Sequence, residues 1–178
     1  MRRTSISSLA WLLFCASAFA QSQNAGGIVY GGKAAFNITA PEGWVLDTES
    51  GAEQGLPCVL YPKDSSWSDA KTVMYAKVAG GDTDAEAFAA WAIKEMKKKK
   101  GSPKEKIASG KTRGGEVYFI NEYPATATYS QWERVAYIQL PGAVAYVVLS
   151  SRNEESYQKD KHALEDALKT IFYIRKVN

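Results

Sequence analysis

Apolar and polar positions alternate at 36–39, Phe36-Asn37-Ile38-Thr39, with the two-residue period of a strand that buries one face. The turn signature Pro41-Glu42-Gly43 follows. A short extended run, Trp44-Val45-Leu46, then gives way to a polar, glycine-punctuated stretch over 47–55 that predicts a surface loop. A second strand is predicted at 59–61, stopped by Pro62, and a third at 72–78, where both faces are mostly apolar. Between them lies another polar loop, 63–69, which carries a single tryptophan.

The spacing then changes from two to between three and four. Ala85, Phe88, Ala89, Ala92 and Met96 share one helical face, with Trp91 beside them. Thr83-Asp84-Ala85-Glu86 has the spacing of a capping box at the start. Lysines followed by Gly101 close the other end, where cations favour the helix dipole and glycine ends the helix. Beyond Pro103 the strand period returns, weakly at 106–109 and strongly at 116–122. Two long runs, 129–140 and 144–150, are joined by Pro141-Gly142 and predict a hairpin. The second run is apolar on both faces, as a covered central strand requires. A last helix is predicted over 154–172, with Asn153 as its cap and Leu164, Ala167, Leu168, Ile171 and Phe172 on one stripe.

Strands therefore cluster and helices punctuate them, an α+β pattern. The expected architecture is a mainly antiparallel sheet of about six strands with two amphipathic helices, layered helix, sheet, helix. One such domain is expected over 34–178, preceded by a loose, glycine-rich segment at 21–33.

The first twenty residues change the remaining counts. Met-Arg-Arg, an apolar run from Leu9 to Phe14, and Ala18-Phe19-Ala20 are the basic region, apolar core and cleavage site of a secretory leader. Cleavage after Ala20 predicts a periplasmic or secreted protein, with no transmembrane segment in the mature chain. It also takes Arg2 and Arg3 away, so 22 basic residues become 20 against 19 acidic ones and the net charge falls from +3 to +1. Nucleic acid is not an expected partner of a nearly neutral exported chain. Cys15 goes with the leader and Cys58 alone is left, which excludes an internal disulfide and a thiolate metal cluster. Cys58 opens the apolar run Cys58-Val59-Leu60-Tyr61 and reads as a buried thiol; pairing with another chain and a catalytic role are the alternatives.

The string Phe36-Asn37-Ile38-Thr39-Ala40-Pro41-Glu42-Gly43-Trp44, the strand ending Tyr61-Pro62, the helix, the long hairpin and the closing Leu168-Lys169-Thr170-Ile171-Phe172 resemble the PsbP-like and DcrB-like families of small exported domains. The resemblance implies an antiparallel sheet with the C-terminal helix packed on it, and a non-enzymatic role. It implies no site residue.

The chemistry visible in the residues is sparse. His162 is the only histidine and sits among Lys159, Asp160 and Lys161, a solvated setting; a metal ligand is the sharper reading, but a zinc site needs three or four donors. No nucleophile elbow and no phosphate loop is present, and no cofactor or metal is expected. Loops on a rigid scaffold concentrate binding residues, and Trp67, Trp44, Tyr61, Asp47 and Ser66 lie in or beside the two polar loops as candidate ligand or partner contacts. Lys97, Lys98, Lys99 and Lys100 form a candidate basic patch for weak contact with an anionic surface. The chain is therefore expected to be an exported, non-catalytic binding or assembly domain that meets a protein or small-molecule ligand in the envelope. The alternative is an envelope-polymer hydrolase working through paired carboxylates.

Overall fold

The computed structural model describes residues 26–32, 34–99 and 101–174. The leader expected at 1–20 lies outside them. The strands are β1 Gly26–Gly31, β2 Ala34–Thr39, β3 Trp44–Asp47, β4 Val59–Pro62 and β5 Thr72–Val78, followed after a helix by β6 Lys104–Lys111, β7 Val117–Tyr123, β8 Trp132–Leu140 and β9 Ala143–Ser151, with β10 Phe172–Tyr173 at the end. The helices are α1 Ala85–Lys98, α2 Glu154–Asp160 and α3 Ala163–Leu168.

Seven strands form one sheet in the order β3-β4-β5-β9-β8-β7-β6, and β1-β2-β10 form a second sheet of three. Every pairing is antiparallel. The α+β class and the mainly antiparallel sheet are as the periodicity predicts. The Pro141-Gly142 hairpin is present as well, with Leu140 opposite Ala143 and Gly142 at φ +67°, a conformation that costs glycine little.

Strand β9 lies at the centre and is apolar on both sides because both sides are covered. Its Ala145, Val147 and Leu149 join Met74, Ala76, Ile120 and Ile138 on one face of the large sheet. The small sheet and the last two helices close over this face with Phe36, Ile38, Tyr157, Leu164, Leu168 and Ile171, all fully buried. Each such side chain stabilises the fold by about 1.5–3 kcal/mol through its removal from water. Val144, Tyr146 and Val148 face the other way, toward α1, which packs Ala85, Ala89, Ile93 and Met96 against Phe119, Tyr123, Tyr137 and Val144.

The second covering is incomplete for a geometric reason. Seven strands at about 4.8 Å spacing span roughly 29 Å from first to last, whereas a single helix is about 10 Å wide. Helix α1 contacts β8 and β9, so the β5 flank of the same face is left to side chains and loops.

Three local readings differ from the sequence pattern. Residues 26–31, assigned above to a loose N-terminal segment, form strand β1; Val29 is fully buried, and β1 pairs along the whole of β2 from Gly26–Thr39 to Gly31–Ala34. The cap of α1 is Asp84, not Thr83: its carboxylate accepts from the Glu86 and Ala87 backbone amides. The single last helix over 154–172 is two short helices and a strand. Asn153 caps α2 as predicted, accepting from Ser156 N, but the helix stops at Asp160. There the Arg134 guanidinium donates to the Lys161 carbonyl and pairs with Glu165 of α3 at 2.7 Å, supporting the chain where helical bonding lapses. Past α3, Thr39 N donates to Thr170 Oγ1 and Phe172 pairs with Asn37, which draws the chain into β10.

Candidate binding groove

The uncovered flank is lined by ladders of side chains in cross-strand register. One row runs Tyr123, Glu133, Ser150, Val73; the next has Val135, Val148, Tyr75; a third has Phe119, Tyr137, Tyr146, Lys77. Along one side stand Phe88, Trp91, Ala92 and Met96 of α1, and along the other Gln54, Leu56 and Trp67 from the two polar loops. Under α1 the depression is a cavity of about 250 Å³. Toward the loops it continues, through Tyr75 and Tyr146, as a cavity of about 410 Å³, and a further one of about 360 Å³ reaches Gln131 and Arg152. The whole forms one aromatic-rich groove, of the concave and mainly apolar kind in which small ligands bind.

Its aromatic rings support one another. Phe88 stacks on Trp91 at 5.9 Å between centroids and meets Tyr137 edge-on and Tyr146 at a tilt. Trp91 itself is 58% exposed at the lip. The hydroxyls of Tyr123 and Tyr137 bond each other at 2.7 Å, with Asn121 Nδ2 donating to Tyr123. Burial pushes the Tyr75 and Tyr137 phenols far above their ordinary range.

The one carboxylate lining the α1 end is Glu133. Tyr129 Oη donates to its Oε1 at 2.6 Å. Burial raises the Glu133 pKa, opposed by hydrogen bonds from Tyr129 and Ser150 and by the nearby charge of Lys99. Among the described residues no basic side chain forms an ion pair with it.

Of the residues singled out from the sequence, the fold brings only Trp67 to the groove, half-buried in its wall. Ser66 braces its own loop, donating to Asp69 at 2.7 Å. Asp47 and Tyr61 lie on the same face of the sheet but at its β3 edge, where the Tyr61 hydroxyl donates to Asp47 at 2.9 Å. Asp47 also accepts from the Glu49 and Ser50 amides and the Ser50 hydroxyl, so it organises the turn that follows it. Burial opposes its charge, but these bonds prevail and hold its pKa at about 2. Trp44 points to the opposite face and packs against the main core.

In the basic patch, Lys97 pairs with Glu105 at 3.7 Å and Lys98 with Glu95 at 2.5 Å. Lys99 turns the other way and sets its ammonium 5.0 Å over the Tyr129 ring. Lys100 lies outside the described residues. Cys58 is buried and burial pushes its thiol up to about 12. His162 begins α3 without a side-chain cap bond, and no group of three or more His, Cys, Asp or Glu side chains disposed to hold a metal ion occurs among the described residues.

The sequence pattern missed Glu133 and its tyrosines. The signal was present: Glu133 shares a strand face with Val135 and Tyr137 at a period of two, so a charge sits in an otherwise inward row.

No protein-family model matches the chain, and no curated protein matches it in sequence. Among solved structures it is similar to LpqN of Mycobacterium tuberculosis, described as involved in cell envelope biogenesis, with a TM-score of 0.57 and 15% identity over 86% of this chain and 91% of LpqN. It is also similar to the cyanobacterial PsbP (CyanoP) of Synechocystis sp. PCC 6803, with a TM-score of 0.49 and 14% identity over 78% of this chain and 86% of that one. The likeness to LpqN is one of fold and of nothing finer.

Proposed function

We propose that this chain is an exported binding domain and that the groove between α1 and the loops carrying Gln54 and Trp67 is its ligand site. The observation that carries the reading is the uncovered β5 flank, where Tyr75 and Tyr146 connect an aromatic cavity under α1 with a second cavity walled by Trp67. Export rests on the leader at 1–20, and the envelope setting named for LpqN accords with it. Among the described residues no helix is long and apolar enough to cross a membrane. Hydrolysis by paired carboxylates would need a second acid in the groove, and among the described residues Glu133 is the single carboxylate in its lining.

The test uses an uncharged apolar reporter, 1-N-phenylnaphthylamine, whose fluorescence rises on entering an apolar cleft. The purified protein is expected to bind it. Ala92→Phe should block the cavity, Trp67→Ala should weaken binding, and Asp47→Asn should leave it unchanged because Asp47 lies outside the lining. Binding that survives both Ala92→Phe and Trp67→Ala would place the site elsewhere.

A further inference from the structure

The α1 end of the groove has an unusual combination of groups. A half-buried carboxylate, Glu133, faces a cavity otherwise made of rings and aliphatic side chains, among them Tyr75, Tyr137, Tyr146, Phe88 and Trp91. Phenol hydroxyls beside it are already engaged, Tyr129 by Glu133 and Tyr123 by Tyr137. The cavity therefore offers one carboxylate in a lining made mainly of aromatic rings. A primary ammonium needs acceptors for three N–H groups, whereas a quaternary ammonium needs none and is held by ring faces and a counter-charge.

We propose that this cavity is an aromatic cage for a quaternary ammonium group, with Glu133 as the counter-ion; the inference rests on the groove being the ligand site. Lys99 gives independent support, because its ammonium already lies 5.0 Å from the Tyr129 ring centroid, at the edge of the same cluster. A cation is therefore accommodated at the rim, and the carboxylate one step inward has no ion-pair partner among the described residues. The cavity, about 250 Å³, accommodates a headgroup the size of choline.

Choline is compared with its uncharged isostere, 3,3-dimethyl-1-butanol, and with ethanolamine, each by calorimetry on the whole purified protein. Choline should bind about tenfold or more tightly than the isostere, and ethanolamine more weakly than choline. Glu133→Gln keeps the shape and should abolish the preference for choline over the isostere. Trp91→Leu, at a lip position exposed to solvent and outside the core, should weaken choline binding, and Lys99→Met should strengthen it by removing a competing cation. Equal binding of choline and the isostere overturns the proposal, as does a preference that survives Glu133→Gln. If 1-N-phenylnaphthylamine binds and choline does not, the groove stands and the cage falls; if neither binds, both fall.

Discussion

Tyr129 Oη donates to Glu133 Oε1 across 2.6 Å, four residues apart, where the chain enters β8. With the Ser150 hydrogen bond and the charge of Lys99, this bond favours the ionised carboxylate at the floor of an aromatic groove. Removing the donor with Tyr129→Phe leaves a half-buried charge with one partner fewer and should cost about 1.5–3 kcal/mol at pH 8, measured by urea unfolding. The same change should cost less at pH 4, where the carboxyl is protonated and its desolvation is slight.

Glu133 also predicts a slope of stability with pH. Burial raises its pKa above the ordinary 4.5, against the hydrogen bonds from Tyr129 and Ser150 and the charge of Lys99. The folded chain therefore holds this proton longer than the unfolded one. Its contribution is greatest below pH 4.5 and is lost as the pH rises through the raised value. Glu133→Gln should flatten that part of the curve, and an unchanged slope would remove Glu133 as its source.

Asp47 works with the opposite sign. Burial disfavours its charge, but bonds from Ser50, Glu49 and Tyr61 outweigh it and bring its pKa from 3.8 to about 2. The stabilisation is present above pH 3.8 and is lost as the pH falls toward 2. Acid titration of Asp47→Asn should show a weaker transition in this window.

On the far side of the sheet, buried Arg134 pairs at 2.7 Å with half-buried Glu165, and Arg134 Nε and Glu165 Oε2 find no partner among the described residues. Arg134→Met takes the partner from the Glu165 charge and should cost about 1.5–3 kcal/mol. The double change with Glu165→Leu should recover much of that loss, because an apolar pair suits the site. Thermal unfolding of both variants decides it.

Cys58 should be inert in the folded protein. Its thiol is buried and pushed up to about 12, by burial first and by the Asp47 charge second. The thiolate that reacts with a disulfide reagent is therefore scarce. Reaction with Ellman's reagent should be slow in buffer and fast in guanidinium chloride; fast reaction in buffer would put the thiol at the surface.

Local signals in the chain were read well where local chemistry decides the outcome. Strand β5 is found at the predicted 72–78, the hairpin turns at Pro141-Gly142, and α1 occupies its amphipathic stretch, because period, turn residues and caps act within a few positions. The cap itself moved by one residue, since Thr83 and Asp84 both have capping side chains and only the backbone path chooses between them. The last helix is shorter than its periodicity predicts for a different reason: the apolar stripe continues through 172, but Arg134, 27 residues before the break, takes the Lys161 carbonyl. Strand β1 was underread, as Gly26 and Gly27 argue for a loose chain unless a partner strand is known.

The sequence by itself determined the α+β class, the elements at the centre of the chain and the single cysteine beyond residue 20. Only the tertiary structure decided that β5 pairs with β9 across more than sixty intervening residues, that one helix leaves a sheet flank uncovered, and that Glu133 faces Tyr75, Tyr146 and Trp91 there. The reason is range. Turns, caps and periodicity are fixed by neighbours in the chain, whereas a groove exists only where distant strands meet and a covering layer falls short.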